Sequence, residues 1–215
     1  MSGDHLKILQ EVFYLGAYFK AVGAEMKKSW INAIFVIVFT IGRIIFGWAW
    51  LNAGIEKFGW LTDGKFNSGG LISGLVSNLV GPKVTRFDPL GLNHLYGWIA
   101  NSIFIPLGGF TDFLVVFFEF VLGLTFILGF QIFWSALVAV FLNLQYIAAG
   151  SFNNFGYIWT DLILMKFPRY ADIIGIDGYL RFKKGKDLLN TPKFFSGKSE
   201  QDSISVKSKG SAAKM

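Results

Sequence analysis

Charged side chains inside otherwise apolar segments are the residues of this sequence best suited to chemistry. Arg43 follows the run INAIFVIVFTIG, Glu119 stands within FFEFVLGL, and Asp161 stands within IWTDLIL. A charge at the centre of a membrane helix costs about 2.5–3.5 kcal/mol on insertion scales, so it is expected to face other helices and to have a partner. The sequence therefore predicts that Arg43 is turned inward and paired with one of the two carboxylates. The pair either fixes the helix register or leaves a carboxylate to carry protons or contact a polar ligand.

Small residues share a helix face with the arginine. Steps of four, three, four and three place one set of residues on that face: Arg43, Gly47, Trp50, Gly54 and Lys57. Glycines on a membrane helix allow a neighbouring helix to approach closely. Glu119 and Gly123 share a face in the same way. The pattern therefore places Arg43 on a seam between packed helices.

A third polar group lies in the segment NLQYIAAGSFNN. Helical steps of three, four and three connect Asn143, Tyr146, Gly150 and Asn153. Their amide groups either bridge helices by hydrogen bonds or line a site that opens outward. With Lys57 at a similar depth, Asn143 and Asn153 would form a basic, amide-rich mouth suited to a small anion.

The composition indicates an integral membrane protein. Of the 215 residues, 53% are hydrophobic and 16% are charged, whereas charged residues make up about 25% of soluble domains. The chain has no cysteine and two histidines, which excludes disulfides, iron–sulfur clusters, thiolate zinc sites and covalently attached haem. No metal site and no bound cofactor is predicted. Most of the net charge of +6 lies after residue 182, where eight lysines face three acids, and a nucleic-acid partner is not expected.

Hydrophobic periodicity divides the chain into three parts. Residues 1–28 are predicted to form an amphipathic helix on the membrane surface, because apolar residues recur at steps of four and three: Ile8, Val12, Leu15, Phe19, Val22 and Met26. Residues 29–182 are predicted to form a membrane domain, and 183–215 a basic, flexible cytoplasmic tail. The fold class is therefore an all-α membrane protein, with partners that include membrane lipid.

The membrane domain is predicted to be a four-helix bundle. Its spans are expected near 31–55, 113–129, 132–149 and 155–176, with a long extracytoplasmic loop over 59–111. Lysines and arginines at both ends of the domain favour a multi-pass plasma-membrane protein with cytoplasmic N and C termini. The fourth span is interrupted by Pro168 and two basic residues, so the alternative is a re-entrant or interfacial segment.

Together these motifs resemble the DoxX-like membrane proteins, and most closely the DoxD family, over residues 35–182. The resemblance is carried by Arg43, Gly47, Ala53, Gly54 and Lys57, then Glu119, Gly123, Leu128 and Gly129, then Asn143, Tyr146, Ala149, Gly150, Ser151 and Asn153, and finally Gly175, Ile176 and Asp177. DoxD is the membrane subunit of archaeal thiosulfate:quinone oxidoreductase. The resemblance implies oxidation of thiosulfate to tetrathionate, a membrane quinone as electron acceptor, a DoxA-like second subunit, and an archaeal plasma membrane.

That chemistry assigns roles to the polar residues. The roles are anion binding by Arg43 and Lys57, proton relay by Glu119 or Asp161, and a quinone wall of Trp48, Trp50 and Tyr146. The sequence has no recognisable motif for a redox cofactor. Two alternatives therefore stay open: a non-catalytic membrane anchor that assembles terminal quinol oxidase subunits, and a small anion or proton transporter.

Overall fold

The computed structural model describes residues 3–80, 90–149 and 151–189, and within these ranges the regular structure is helical. The α-helices are α1 (Gly3–Lys28), α2 (Trp30–Glu56), α3 (Gly69–Val80), α4 (Leu92–Ile99), α5 (Ile105–Leu107), α6 (Gly109–Leu128), α7 (Ile132–Ala148), α8 (Phe155–Lys166), α9 (Pro168–Asp172) and α10 (Ile176–Lys183). A π-helical turn, Ala100–Phe104, joins α4 to α5. Residues 190–215 of the predicted tail lie outside the described residues.

Two helices are long and apolar enough to cross a membrane. They are α2, with 27 residues, and α6, with 20 residues, each with a mean hydropathy of 2.1. The predicted spans 31–55 and 113–129 coincide with them, and the predicted helix at 132–149 coincides with the shorter apolar helix α7. The tight turn between α6 and α7 contains Gly129, whose positive φ of 65° suits glycine.

The predicted fourth span over 155–176 is divided between separate helices. Helix α8 has 12 residues and ends at Lys166, and Pro168 then opens the separate five-residue helix α9. Proline has no backbone N–H and its ring collides with the preceding helical turn, so it is tolerated in the first turn of a helix and not in its interior. The interruption predicted at Pro168 is a complete break between α8 and α9.

The close contact between α2 and α6 confirms the interpretation of the glycines. The helices run antiparallel, with Gly47 against Phe126, and Gly54 against Phe120. A Cβ atom at Gly123 would lie 2.5 Å from the backbone nitrogen of Leu51. The missing side chains therefore allow the two backbones to touch, and this contact fixes which residues of α2 and α6 lie at the same depth.

Helix α1 packs against the bundle, and Val22 of the predicted apolar stripe takes part in the contact. Tyr18 and Val22 are buried against Val36 and Ile173. Most of the predicted apolar stripe is exposed instead, with exposed fractions of 45–63% for Ile8, Val12, Leu15 and Phe19. Its helical structure is thus confirmed, while the helix presents apolar side chains on both its packed and its open face.

The connection between α2 and α6 folds back onto the bundle. Its segment LISGLVSNLV lies in α3, and the α3 residues Ile72 and Leu75 form a small core with Ala100. The buried carboxylate of Asp112 on α6 accepts hydrogen bonds from the backbone N–H groups of Asn67 and Ser68, at 2.7 and 2.8 Å. These bonds attach the start of α3 to α6. Helix α3 therefore lines the cavities of the candidate functional site.

Candidate functional site

Glu119 is the centre of a buried polar cluster that joins three helical segments. Its carboxylate accepts hydrogen bonds from the Lys57 ammonium, with both Nζ–O distances at 2.7 Å, and from the Tyr146 hydroxyl at 2.6 Å. The Glu119 side chain is 2% exposed and that of Lys57 is 24% exposed. A buried carboxylate is stable only when it is paired and hydrogen-bonded. Here the Lys57 ammonium supplies the opposite charge, and both it and the Tyr146 hydroxyl donate hydrogen bonds.

The register of the α2–α6 contact explains why Lys57 is the partner. Gly54 on α2 lies beside Glu119 and Phe120 on α6. Lys57 caps the C terminus of α2 three residues after Gly54, and this register brings its ammonium to the Glu119 carboxylate. Lys57 also lies over the rings of Trp60 and Tyr146, 5.7 and 5.9 Å from their centroids, where the aromatic faces attract its charge.

A second buried network runs from α8 through α7 to the segment between them. Asn143 donates to Asp161 at 2.8 Å, and Asn154 donates to the side-chain oxygen of Asn143 at 3.0 Å. Asn143 and Asp161 are fully buried. The second oxygen of Asp161, Oδ1, has no hydrogen-bond partner among the described residues. The network thus links the buried Asp161 carboxylate to Asn154.

Both networks reach one cavity of about 200 Å³. Its polar lining comes from both networks and their neighbours: Lys57, Glu119, Tyr146, Ser151, Asn154 and Tyr157. Trp50 lines its apolar side, and the indole N–H of this buried residue has no acceptor among the described residues. The cavity therefore combines an ion pair, hydroxyls and amides within a mostly apolar protein.

An apolar slot adjoins this cavity. It has a volume of about 130 Å³ and lies between α3, α6 and α7, with a nearly wholly hydrocarbon surface that includes Ile72, Leu114 and Phe118. Leu71 and Tyr146 line both the slot and the polar cavity. A flat apolar ligand in the slot would therefore have a tyrosine hydroxyl and its carboxylate partner at one end.

The predicted ion pair of Arg43 with Glu119 or Asp161 is wrong. Arg43 is turned inward and 1% exposed, as predicted, but its guanidinium donates to backbone carbonyls of Phe126, Ile127, Ala171 and Ile174. The antiparallel register places it beside the end of α6, while Glu119 lies more than two helical turns back along that helix. Arg43 thus fastens the α6 terminus to the 171–174 segment, away from the cavity.

Two further expectations need correction. Trp48 is 61% exposed and does not line the cavity, because it lies on the opposite side of α2 from Trp50. Asn153 is exposed. Its neighbour Asn154 makes the hydrogen bond to Asn143 that the sequence pattern predicted for Asn153. Helix α7 ends at Ala148, so helical counting from Asn143 fails before it reaches residue 153.

The structure therefore brings together the predicted residues Lys57, Trp50, Glu119, Asn143 and Tyr146, and connects Asp161 to them. Sequence reasoning missed Asn154, Tyr157 and Leu71. Asn154 directly follows the predicted residue Asn153, so the Asn-Asn pair in the sequence could have indicated it. Leu71 carries no signal, because it belongs to the long connection and reaches the site only through folding.

The described residues contain no group of three or more histidine, aspartate or glutamate side chains arranged to hold a metal ion. Comparison with known proteins finds no matching family model, no matching curated protein and no matching solved structure. The likeness to DoxD therefore stays a prediction from the residues named above.

Proposed function

We propose that this chain is the membrane subunit of a thiosulfate:quinone oxidoreductase, with quinone bound in the apolar slot and protons supplied through Glu119 and Tyr146. The observation that supports this most directly is the shared wall between the slot and the polar cavity, where Tyr146 donates to Glu119 at 2.6 Å. A quinone approaches from lipid and needs an apolar binding surface. Its reduction also needs an ionisable group within hydrogen-bond reach of the ring oxygens.

The proposed membrane topology has four crossings. Helices α2, α6 and α7 make the first three, and α8 with α9 makes the fourth. The 12 residues of α8 rise about 18 Å at 1.5 Å per residue, less than the ~30 Å of a hydrocarbon core, so the fourth crossing also needs the break at Phe167 and the separate helix α9. The basic end of the bundle then faces the cytoplasm together with both termini, and α3 lies on the outer side.

The proposed reaction balances with two substrates. Two thiosulfate dianions each lose one electron and join through a new sulfur–sulfur bond to give tetrathionate. The quinone takes up the two electrons and two protons and becomes quinol. The electrons reach the quinone either directly from sulfur or through the DoxA-like second subunit.

Lys57 gives the polar cavity its attraction for an anion. While Glu119 is ionised, the pair is neutral. When Glu119 takes up a proton, the Lys57 ammonium loses its counter-ion and attracts thiosulfate more strongly. Binding of the dianion and proton uptake for the quinone are therefore coupled at one ion pair. Asp161, hydrogen-bonded through Asn143 to Asn154, is the second candidate proton carrier.

The test is thiosulfate-dependent reduction of a quinone analogue by the purified complex. Glu119→Gln is expected to lower the rate at least 100-fold, since general acid–base groups contribute about 10²–10⁴. Glu56→Gln is the matched control, because Glu56 is exposed and bonded to Asn52 at the same end of α2. Tyr146→Phe leaves the ion pair intact and is expected to slow the reaction by a smaller factor.

Size-exclusion chromatography and thermal unfolding establish that each variant is folded before its rate is compared. Full activity in folded Glu119→Gln would remove the relay role. An inactive wild-type preparation that co-purifies with haem–copper subunits would support the anchor alternative. Ion flux into vesicles without electron transfer would support a transporter.

A further inference from the structure

A second polar cavity lies at the opposite end of the bundle from Glu119. It has a volume of about 310 Å³ and is formed by the α6–α7 turn, α9, α10 and the residues after α10. Four basic side chains line it, Arg169, Arg181, Lys184 and Lys186, against two acidic ones, Asp172 and Asp177. The lining therefore carries an excess of two positive charges.

One of these cations is held rigidly at the cavity. Arg181 donates to both oxygens of Asp172, at 2.5 and 2.7 Å. Its side chain is over nine-tenths buried, and its Nε–H has no acceptor among the described residues. A buried N–H without a partner costs free energy, and Arg181 itself lines the cavity with its positive charge.

The acidic residues are already engaged by protein donors. Asp172 holds Arg181, and Asp177 accepts from the backbone N–H of Gln131 at 2.8 Å. Lys184 and Lys186 are exposed at the mouth. The charge available to a ligand is thus positive, and guanidinium and ammonium groups are the usual partners of phosphate.

Large aromatic side chains surround the same mouth. Trp134 is 61% exposed and Phe130 is 38% exposed, and both line the cavity. Phe130 lies in the α6–α7 turn, and Trp134 lies in the first turn of α7. Tryptophan is enriched where membrane proteins meet lipid headgroups. A ligand in this cavity would have its charged part among the basic residues and apolar chains along Trp134.

We infer that this cavity binds the phosphate group of an anionic lipid headgroup, with the acyl chains lying along Trp134 and Phe130. Basic pockets between membrane helices on the cytoplasmic side recognise such headgroups. This site is separate from the proposed quinone chemistry and does not depend on it. Its position between the α6–α7 turn and α10 means that a bound lipid connects segments that are distant in sequence.

Native mass spectrometry of the full chain, with phosphatidylglycerol or phosphatidylcholine of the same acyl chains, tests this inference. The wild type is expected to retain phosphatidylglycerol preferentially. Each basic residue near an anionic membrane surface contributes about fivefold to binding. The double variant Lys184→Gln/Lys186→Gln is therefore expected to lose about 25-fold in affinity for phosphatidylglycerol and to bind phosphatidylcholine as before.

The matched control removes the same charge from α1. Lys20→Gln/Lys27→Gln alters two exposed lysines that do not line the cavity and is expected to keep the wild-type preference. Arg169→Gln, inside the cavity, is expected to lose it. An equal loss in the control would show diffuse attraction and overturn the site, as would an unchanged preference in both cavity variants.

A further arm separates a lipid from a free anion. Inorganic phosphate alone is added to the detergent-solubilised chain, and thermal unfolding is followed. A shift with phosphate, together with equal retention of both lipids, would overturn the lipid assignment. Retention of phosphatidylglycerol that survives excess phosphate supports it, because the acyl chains then contribute to binding.

Discussion

The contact at Gly123 allows a quantitative test of the α2–α6 packing. A Cβ atom added there would lie 2.5 Å from the backbone nitrogen of Leu51 and 2.6 Å from its Cα, whereas ordinary contacts begin at 3.4 Å. Backbone atoms cannot rotate away as the end of a side chain can. Gly123→Ala therefore requires the two helices to separate by about 1 Å, which opens gaps along the most extensive helix contact of the bundle.

The expected magnitude follows from two opposing effects. Overpacking of a well-packed interface costs about 1–3 kcal/mol, and replacement of glycine by alanine inside a helix otherwise gains about 1 kcal/mol. Gly42→Ala on α2 isolates the second effect, since its Cβ would meet no atom within 4 Å. Because both variants share that gain, it cancels, and we expect the free energy of unfolding of Gly123→Ala to lie about 1–3 kcal/mol below that of Gly42→Ala.

Reversible unfolding of the detergent-solubilised chain by a denaturing detergent measures this difference. Lys57 has a flexible stem and can follow the movement, so the loss is expected mainly in stability. If Gly123→Ala were as stable as Gly42→Ala, the helices would not approach at these residues. The register that assigns Lys57 to Glu119 would then fail as well.

Two other contacts give further predictions. Arg43→Lys keeps the charge, but one ammonium group cannot reach the carbonyls of α6 and of residues 171–174 together. We therefore expect a loss of roughly 2–5 kcal/mol in unfolding free energy. A fall in the rate of quinone reduction per folded molecule would instead give Arg43 a role in the reaction. At the surface, the hydrogen bond from Lys183 holds the pKa of Glu11 below its ordinary value. Stability from this pair is present above the ordinary glutamate pKa of about 4.3 and is lost as the pH falls through the lowered value. The protection factors of the α1 amides, which are exchange rates corrected for the intrinsic effect of pH, are expected to fall below about pH 4 and to be lowered already at neutral pH in Lys183→Gln. Protection that does not change with pH would contradict the pairing.

Much of the fold could be predicted because long apolar helices have strong local signals. Uninterrupted apolar runs gave α2, α6 and α7 within a few residues, and glycine at 129 marked the turn between the last two. Pro168 marked a disturbance, but its extent depended on neighbours. The carbonyls of Ala171 and Ile174 are bound by Arg43, which stabilises a non-helical path after α9 that no local pattern records.

The candidate site was predictable in its members but not in its pairings. Glu119, Tyr146 and Asn143 are polar residues in apolar helices, and insertion cost alone predicts that they are buried and partnered. Which partner each has depends on the register between helices. Several antiparallel registers satisfy the glycine faces of α2 and α6, and only one of them brings Lys57, and not Arg43, to the carboxylate.

The sequence alone determined that the chain is helical and apolar, where its long helices lie, and which polar side chains must turn inward. These properties depend on local periodicity and on the cost of burying charge. The tertiary structure alone decided that Arg43 binds carbonyls, that Asn154 replaces Asn153, and that Leu71 from a distant connection joins Tyr146 at the wall of two cavities. Such contacts depend on the depth at which whole helices dock, and a helix face repeated every three or four residues is compatible with more than one depth.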